Sequence, residues 1–356
     1  MDKFKNLEQI GGREIQGETT WKSPSNIALV KYWGKYGRQM PANASVSFTL
    51  ENAHSIMNIK YKKGTGKVSL VFDGEKNEAF GAKFEKFMKS VEDINPFYQE
   101  LDYEINSSNS FPHSAGIASS ASAMSALCMG LCRIENEVFG NLNDKDIFLQ
   151  KASYLSRLAS GSASRSMYPK LGQWGEHKDI EGSSNYYAID VHDRVDSIFH
   201  TYKNSILIAS SAVKEVSSTL GHKMMNENPY AEIRFKQANE NLKDLMFAMK
   251  NGDLDTFMKI VELEALTLHA LMMTSDPSFI LLQPSTIVMI DRIRKYRAKT
   301  GLPVCFTLDA GPNIHLLYPE KITSEIQKFI KDELLELCEN GVIIEDKVGN
   351  GSSEIK

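Results

Sequence analysis

Ser107–Ser122 reads SSNSFPHSAGIASSAS, a loop of small residues leading straight into an alanine-rich segment where Met124, Leu127, Cys128 and Leu131 recur at helical spacing. A helix entered in this way presents unpaired backbone N–H groups and the positive end of its dipole, and small side chains let a phosphate come close to them. Ser119, Ser120 and Ser122 add hydroxyls that could donate to such a group or ligate magnesium. The same residues also suit a capped helix after a serine-rich loop, with no ligand. The stretch contains no GxxxxGK[ST], so a Walker-type loop is excluded.

Outward from this helix the chain changes character. Toward the N-terminus it is strand-rich: in Asn43–Leu50 (NASVSFTL), Ala44, Val46, Phe48 and Leu50 alternate with Asn43, Ser45, Ser47 and Thr49, the pattern of a half-buried strand. Asn26–Tyr32, Ile56–Tyr61, Val68–Phe72 and Leu101–Ile105 are further strand candidates. Toward the C-terminus the patterns predict a helix over Lys145–Leu158 and a strand over Ser205–Ser211. Long amphipathic helices follow over Ala231–Lys250, Leu254–Met273 and Thr286–Ala298. Val304–Leu308 and Ile314–Tyr318, separated by DAGPN, predict a hairpin, and a last helix is expected near Ser324–Glu339. Strands and helices mix without the strand, glycine loop, helix succession of a dinucleotide-binding sheet, which favours an α+β fold. The 356 residues suit about two domains, divided here as a strand-rich 1–203 and a helix-rich 204–356.

Lys and Arg number 41 against 45 Asp and Glu, a net charge of -4, so nothing overall favours nucleic acid, and an anionic partner should be small. No segment approaches the ~20 apolar residues of a membrane span. Met1–Trp21 mixes charges with few apolar residues, unlike a signal peptide, so a soluble, cytoplasmic protein is expected. The four cysteines, Cys128, Cys132, Cys305 and Cys338, form no CxxC pair and no zinc-like set, and are expected to be reduced core residues.

Three more runs carry chemistry or its absence. Asn26–Lys35, NIALVKYWGK, is either a strand feeding cations into a site or an exposed strand end between solvated lysines. In Ser160–Ser166, SGSASRS, small residues surround Arg165, whose planar fork can reach a carboxylate or phosphate, or face water beside a tight helix contact. Asp309, between an apolar strand and Ala310-Gly311, suits a general base as well as a turn that bonds its own backbone. His113 lies inside the serine loop, while His269 sits in a Leu/Met-rich helical run and is expected in a core or interface.

In order and spelling these runs together resemble the diphosphomevalonate decarboxylases of the GHMP kinase superfamily. NIALVKYWGK (Asn26–Lys35) is similar to that family's N-terminal signature, FPHSAGIASSA (Phe111–Ala121) to its phosphate loop, and SGSASRS (Ser160–Ser166), with Trp174 beyond, to its substrate loop. KEVSSTLG (Lys214–Gly221) and LDAGPN (Leu308–Asn313) complete the set, so the resemblance spans residues 26 to 313.

The resemblance implies a two-domain GHMP-kinase-like fold with its active site in the interdomain cleft, and commonly a homodimer. It implies ATP-dependent decarboxylation of mevalonate 5-diphosphate to isopentenyl diphosphate, with no nucleic-acid or membrane partner. Position by position, it makes Asp309 the base for the 3-hydroxyl, Arg165 the holder of the substrate carboxylate, Asn26 the group orienting Arg165 or the substrate, and Lys31 the support for the reacting phosphate. Tyr32, Lys35, Ser160, Ser162 and Ser218 would line the substrate and its diphosphate. Ser119 and Ser120, with the backbone of Ser114, Ala115, Gly116, Ile117 and Ala118, would bind the ATP phosphates and Mg2+, Ser120 being the metal-ligand candidate.

The chain departs from the family pattern in three places. Lys35-Tyr36-Gly37 stands where Lys-Arg-Asp is usual, with PANAS for PxNSS; Thr219 stands where some bacterial relatives have a diphosphate-contacting arginine; and His222 replaces a usual methionine. A mevalonate 5-phosphate decarboxylase or a mevalonate 3-kinase is therefore the second reading, and a catalytically silent nucleotide-binding module the non-enzymatic one.

Overall fold

The computed structural model describes residues 2–111, 117, 119–212, 218–225 and 227–356, with residues 2, 218 and 219 described by main chain only. The first strand, β1 (Gln16–Val30), passes through a small hairpin, β2 (Lys35–Tyr36) and β3 (Met40–Pro41), into the 19-residue β4 (Ser45–Lys63). The two long strands pair antiparallel from Gln16↔Lys62 to Val30↔Val46, with register shifts after Pro24 and after Ala28. β4 is one element where the sequence patterns predict two. Its polar middle stays extended because the Asp346 carboxylate, from the other half of the chain, accepts the N–H groups of Glu51, Asn52 and Ala53 at 2.9, 2.8 and 2.7 Å.

β5 (Val68–Phe72), the short β6 (Glu75–Lys76) and β7 (Leu101–Asn109) extend this sheet, β5 lying parallel to β7. Between them runs α1 (Glu78–Ser90), which the sequence reading did not anticipate. Asn77 caps it by accepting the Phe80 N–H, and Phe84, Phe87 and Met88 face the core. α2 (Ser119–Phe139) and α3 (Lys145–Ala159) pack with it against the sheet. β8 (Leu171–Trp174) pairs with the first half of β4, and β9 (Ile189–Asp190) with β8.

The second half opens with β10 (Lys203–Leu207), shorter than the expected Ser205–Ser211 strand and starting earlier. α4 (Ser218–Met224) follows; then α5 (Ala231–Lys250) and α6 (Leu254–Met273) keep the boundaries that their periodicity predicts, and α7 (Pro284–Thr300) is slightly longer than expected. β11 (Cys305–Thr307) and β12 (Ile314–Tyr318) form the predicted hairpin. The expected last helix is regular only over α8 (Thr323–Phe329), widening over Ile330–Leu334 and tightening over Leu335–Leu337. β13 (Ile343–Lys347) completes a four-stranded sheet in the order β11-β12-β10-β13, and β14 (Ser353–Glu354) returns to the edge of the first sheet beside β1.

A continuous core joins the halves: Ile27, Leu29, Val46 and Phe48 pack with Phe199, Ile206, Leu242, Leu245, Phe257 and Leu317. This shared core fixes the end of β1 relative to the β11–β12 hairpin. All four cysteines are free and buried.

Candidate active site

Lys31 directly follows β1, and its ammonium donates to the Ala28 carbonyl at 2.6 Å and to Asp309 Oδ1 at 3.0 Å. Its side chain is 2% exposed and that of Asp309 is 29% exposed. The reading of this run as a solvated strand end is thereby corrected, since hydrogen bonds and an ion pair from the other half of the chain stand in for water. Burial lowers the Lys31 pKa, opposed by the Asp309 carboxylate and, less strongly, by Glu264.

Asp309 sits where the β11–β12 hairpin turns, its carbonyl accepting the Gly311 N–H at 2.7 Å. His269 Nε2 lies 3.1 Å from the same carbonyl, so that nitrogen carries the proton. The buried histidine expected from the Leu/Met-rich helix is thus also a clamp on the Asp309 main chain. His315, in β12, is held neutral by burial, with its pKa pushed down to about 4.

Arg165 ends the short turn Gly161–Arg165 and is buried, not solvent-facing. One arm of its guanidinium donates to Ser45 Oγ and the other to Asn26 Oδ1 at 3.4 Å. Asn26 in turn donates to the Ser162 carbonyl at 3.0 Å and to Ser166 Oγ at 2.8 Å, which fixes its amide. Among the described residues, buried Arg165 Nε has no hydrogen-bond partner. The guanidinium is thus held through its two arms, on Ser45 and on Asn26. Burial pushes its pKa down to about 10, with Asp309 opposing.

Ser45 and Ser166 were missed by sequence reasoning. The signal for Ser45 was present in the polar alternation of NASVSFTL, read as the open face of a half-buried strand, and Ser166 lay in SGSASRS beside Arg165. In the folded chain Asn43, Ser45, Ser47 and Thr49 are all buried, with Ser45 against Arg165 and Thr49 donating to the Tyr168 carbonyl at 2.8 Å.

The Tyr32 ring packs tilted against His222 at 4.3 Å and against Trp174 at 4.7 Å, while His222 also lies 4.7 Å from Trp33. The Gly34 N–H donates to His222 Nδ1 at 3.0 Å, so the departure at position 222 builds α4 onto the Tyr32–Gly34 segment. Gly34 has φ +105, and a Cβ there would lie 2.6 Å from the Phe235 ring, so only glycine fits. Lys35 is partly buried, with its ammonium on Gln39 Oε1 at 2.5 Å. Ser160 closes α3, and Ser162 follows in the turn that carries Arg165; both are partly exposed. Ser218 begins α4, its side chain being outside the described residues.

α2 starts at Ser119, where Ser119 and Ser120 line a cavity of about 200 Å³ together with Leu70, Phe72, Phe80, Lys83 and Asn109. Ser122 does not join it: its hydroxyl is 2.7 Å from Ser55 Oγ and donates to the Ser119 carbonyl at 3.1 Å, holding the helix start to β4. Ile117 is buried; residues 112–116 and 118, hence His113, Ser114, Ala115, Gly116 and Ala118, lie outside the described residues.

Two family models divide this chain between them. The diphosphomevalonate decarboxylase-like N-terminal domain matches residues 23–187, and the mevalonate 5-diphosphate decarboxylase C-terminal domain matches residues 205–348. The diphosphomevalonate decarboxylase of Schizosaccharomyces pombe is 27% identical over 330 residues, covering 87% of this chain and 80% of the relative. The phosphomevalonate decarboxylase of Haloferax volcanii is 25% identical over 319 residues, covering 88% and 92%. The solved structure of MDDEF in complex with MVAPP, AMPPCP and magnesium has a TM-score of 0.80 at 24% identity, covering 96% of this chain and 100% of the other, a likeness of fold.

Proposed function

The chain belongs to the diphosphomevalonate decarboxylase family, and from that premise we propose that it converts mevalonate 5-diphosphate and ATP to isopentenyl diphosphate, ADP, phosphate and carbon dioxide. The observation that carries the reading is the Lys31–Asp309 pair, a buried ammonium 3.0 Å behind a carboxylate that reaches solvent. A neighbouring cation favours the ionised carboxylate, so Asp309 is available to take the proton of the 3-hydroxyl as it attacks the γ-phosphorus of ATP. Phosphate then leaves C3, the C–C bond to the carboxylate breaks, and its electrons form the double bond as carbon dioxide departs. Positive character developing at C3 requires a dry site, which the burial of Lys31, Arg165 and Asn26 provides.

Arg165 holds the substrate carboxylate from its Asn26-facing side, and Tyr32, Lys35, Ser160, Ser162 and Ser218 line the substrate and its diphosphate. The cavity beside Ser119 has aromatic walls in Phe72 and Phe80 and is sized for a base, not a whole nucleotide, which supports a reading in which ATP lies with its phosphates toward the α2 N-terminus. Magnesium, when bound, neutralises the phosphate oxygens. Among the described residues no group of three His, Cys, Asp or Glu side chains could hold a metal, so the hydroxyl donors Ser119 and Ser120 suit an ion carried mainly by phosphate and water. No described helix is long and apolar enough to cross a membrane. The proposal includes a cytoplasmic homodimer.

One observation favours a second reading, mevalonate 5-phosphate as substrate: Lys35 is already bonded to Gln39, and uncharged Tyr36 and Thr219 stand at positions where relatives of the family carry an arginine. The deciding experiment compares kcat/KM for mevalonate, its 5-phosphate and its 5-diphosphate while carbon dioxide and phosphate are measured separately. Equal release of both, fastest with the diphosphate, is expected; phosphoryl transfer without carbon dioxide would replace the decarboxylase by a 3-kinase.

A further inference from the structure

We infer that Glu264 is a positioning residue for this reaction, clamping the main chain of Lys31 from the opposite half of the molecule so that the Lys31 ammonium is delivered to Asp309. The inference rests on the roles proposed above for Lys31 and Asp309. Glu264, in α6, accepts the Lys31 N–H at 2.9 Å. Its two oxygens are held by the Arg234 fork from α5, the Nη1–Oε1 bond being 2.7 Å, and by Asn241 at 2.6 Å. The Lys31 carbonyl on the other side of the residue accepts from Asn43 at 3.0 Å and from Arg234 at 3.4 Å.

Lys31 is therefore gripped at its N–H, its carbonyl and its ammonium, and the second half of the chain contributes to all three. Side chains of Glu264 and Arg234 are 0% and 1% exposed. A buried ion pair adds little net stability over an apolar pair of the same size, so its consequence is where it places its neighbours. Here that neighbour lies three residues from Ala28, whose carbonyl the Lys31 ammonium also uses.

Glu264 has an electrostatic part as well. The ionisable groups facing the Lys31 ammonium are Asp309 and Glu264, which favour its charge, and Arg165, which opposes it. His315 is a weak neighbour that burial keeps neutral, and Arg234 is spent on Glu264. Without the Glu264 charge, burial would release the Lys31 proton at lower pH.

The test uses the full-length enzyme. In E264Q the amide oxygen still accepts the Lys31 N–H but the charge is gone. The expected result is a kcat at least tenfold lower, a KM for the mevalonate substrate changed less than threefold, and an alkaline limb of the kcat–pH profile displaced to lower pH. Because E264Q leaves Arg234 unpaired in the core, that variant can fail to fold; R234K then decides, since it keeps the charge balance but loses the fork, and is expected to lower kcat at least threefold. The titration of the Lys31 ammonium in the resting enzyme, followed by 15N NMR and assigned with K31Q, is independent of turnover and is expected to change in whichever variant folds. A folded variant with unchanged kcat, alkaline limb and Lys31 titration overturns the inference. If the unmodified protein turns over no mevalonate derivative, the functional reading fails and the Lys31 titration alone decides: a changed titration sustains the placement by Glu264, an unchanged one overturns it.

Discussion

The Lys31 ammonium and the Asp309 carboxylate lie 278 positions apart in the chain and 3.0 Å apart in the fold, one from each half of the molecule. Their exposures differ in a way that assigns direction: the cation is behind, at 2%, and the carboxylate in front, at 29%. A group approaching the pair from solvent meets Asp309 before Lys31.

Replacing Asp309 by alanine removes the only ionisable member of the cluster formed with Lys31, Arg165 and Asn26 that reaches solvent, and leaves the Lys31 ammonium without its carboxylate. Turnover is expected to fall by at least ~10²-fold, the usual order for loss of a positioned acid–base group, with KM for the mevalonate substrate much less affected. Steady-state kinetics check this, and near-normal kcat would remove Asp309 from the chemistry.

Arg165→Lys preserves charge but not shape. A single ammonium cannot bond Ser45 and Asn26 at once and still meet a carboxylate in plane, so kcat/KM is expected to drop at least ~10-fold, roughly the cost of one charge-assisted hydrogen bond. Ser45→Ala, which frees one arm of the guanidinium without altering its charge, should produce a smaller loss in the same parameter. Kinetics of the Arg165→Lys variant equal to those of the parent would dismiss the bidentate role.

These variants separate what was legible in the chain from what was not. α5 and α6 were legible to the residue because long apolar periodicity ends at Asn251-Gly252 and restarts after Asp253, whose carboxylate caps the next helix through the Thr256 N–H. The hairpin carrying Asp309 was legible from DAGPN. The environment of the site was not, because its partners come from afar: Ser45 is 120 positions from Arg165, and Glu264 is 233 from Lys31. A serine on the polar side of a strand and a glutamate in an amphipathic helix both read as solvated until a second layer covers them. The long β4 was hidden for the same reason, since Asp346 supplies the acceptors for its polar middle.

His222 gives a pH-dependent prediction. Unfolded, its imidazole titrates near its ordinary value of 6.5; in the fold, burial pushes its pKa down to about 3. Between these values the unfolded chain holds a proton that the folded one does not, so stability from this group is complete above pH 6.5 and is lost as pH falls toward 3. At pH 5 that loss is about 2 kcal/mol. His222→Met removes the linkage while keeping an apolar side chain against Tyr32 and Trp33. The unfolding free energy of the variant relative to the parent should therefore rise by about 2 kcal/mol between pH 8 and pH 5 in denaturant titrations. His315 contributes to both proteins alike and cancels in the difference, so a pH-independent difference would mean that His222 accepts a proton in the folded state.

The last strand makes a prediction that couples stability to the site. Gly349 donates to the Thr49 carbonyl and accepts the Lys170 N–H, both at 2.8 Å, and Ser352 donates to the Met167 carbonyl at 3.2 Å, so residues 349–352 lie along the turn that follows Arg165, while Ile355 donates to the Thr20 carbonyl at 2.8 Å. Gly351 has φ +82, and a Cβ there would stand 2.6 Å from the Met167 carbonyl oxygen and 2.8 Å from the Tyr168 carbonyl carbon. Gly351→Ala therefore carries two costs, about 1–2 kcal/mol for a left-handed backbone and a further displacement of main chain two to three residues beyond Arg165. Gly74→Ala carries only the first, since Gly74 has φ +87 and nothing within 4 Å of its Cβ position. Denaturant titrations should find the Gly351 variant less stable than the Gly74 variant by at least ~1 kcal/mol, and only the former should lose turnover. Equal destabilisation of the two would show that the tail shifts freely and does not brace the Arg165 turn.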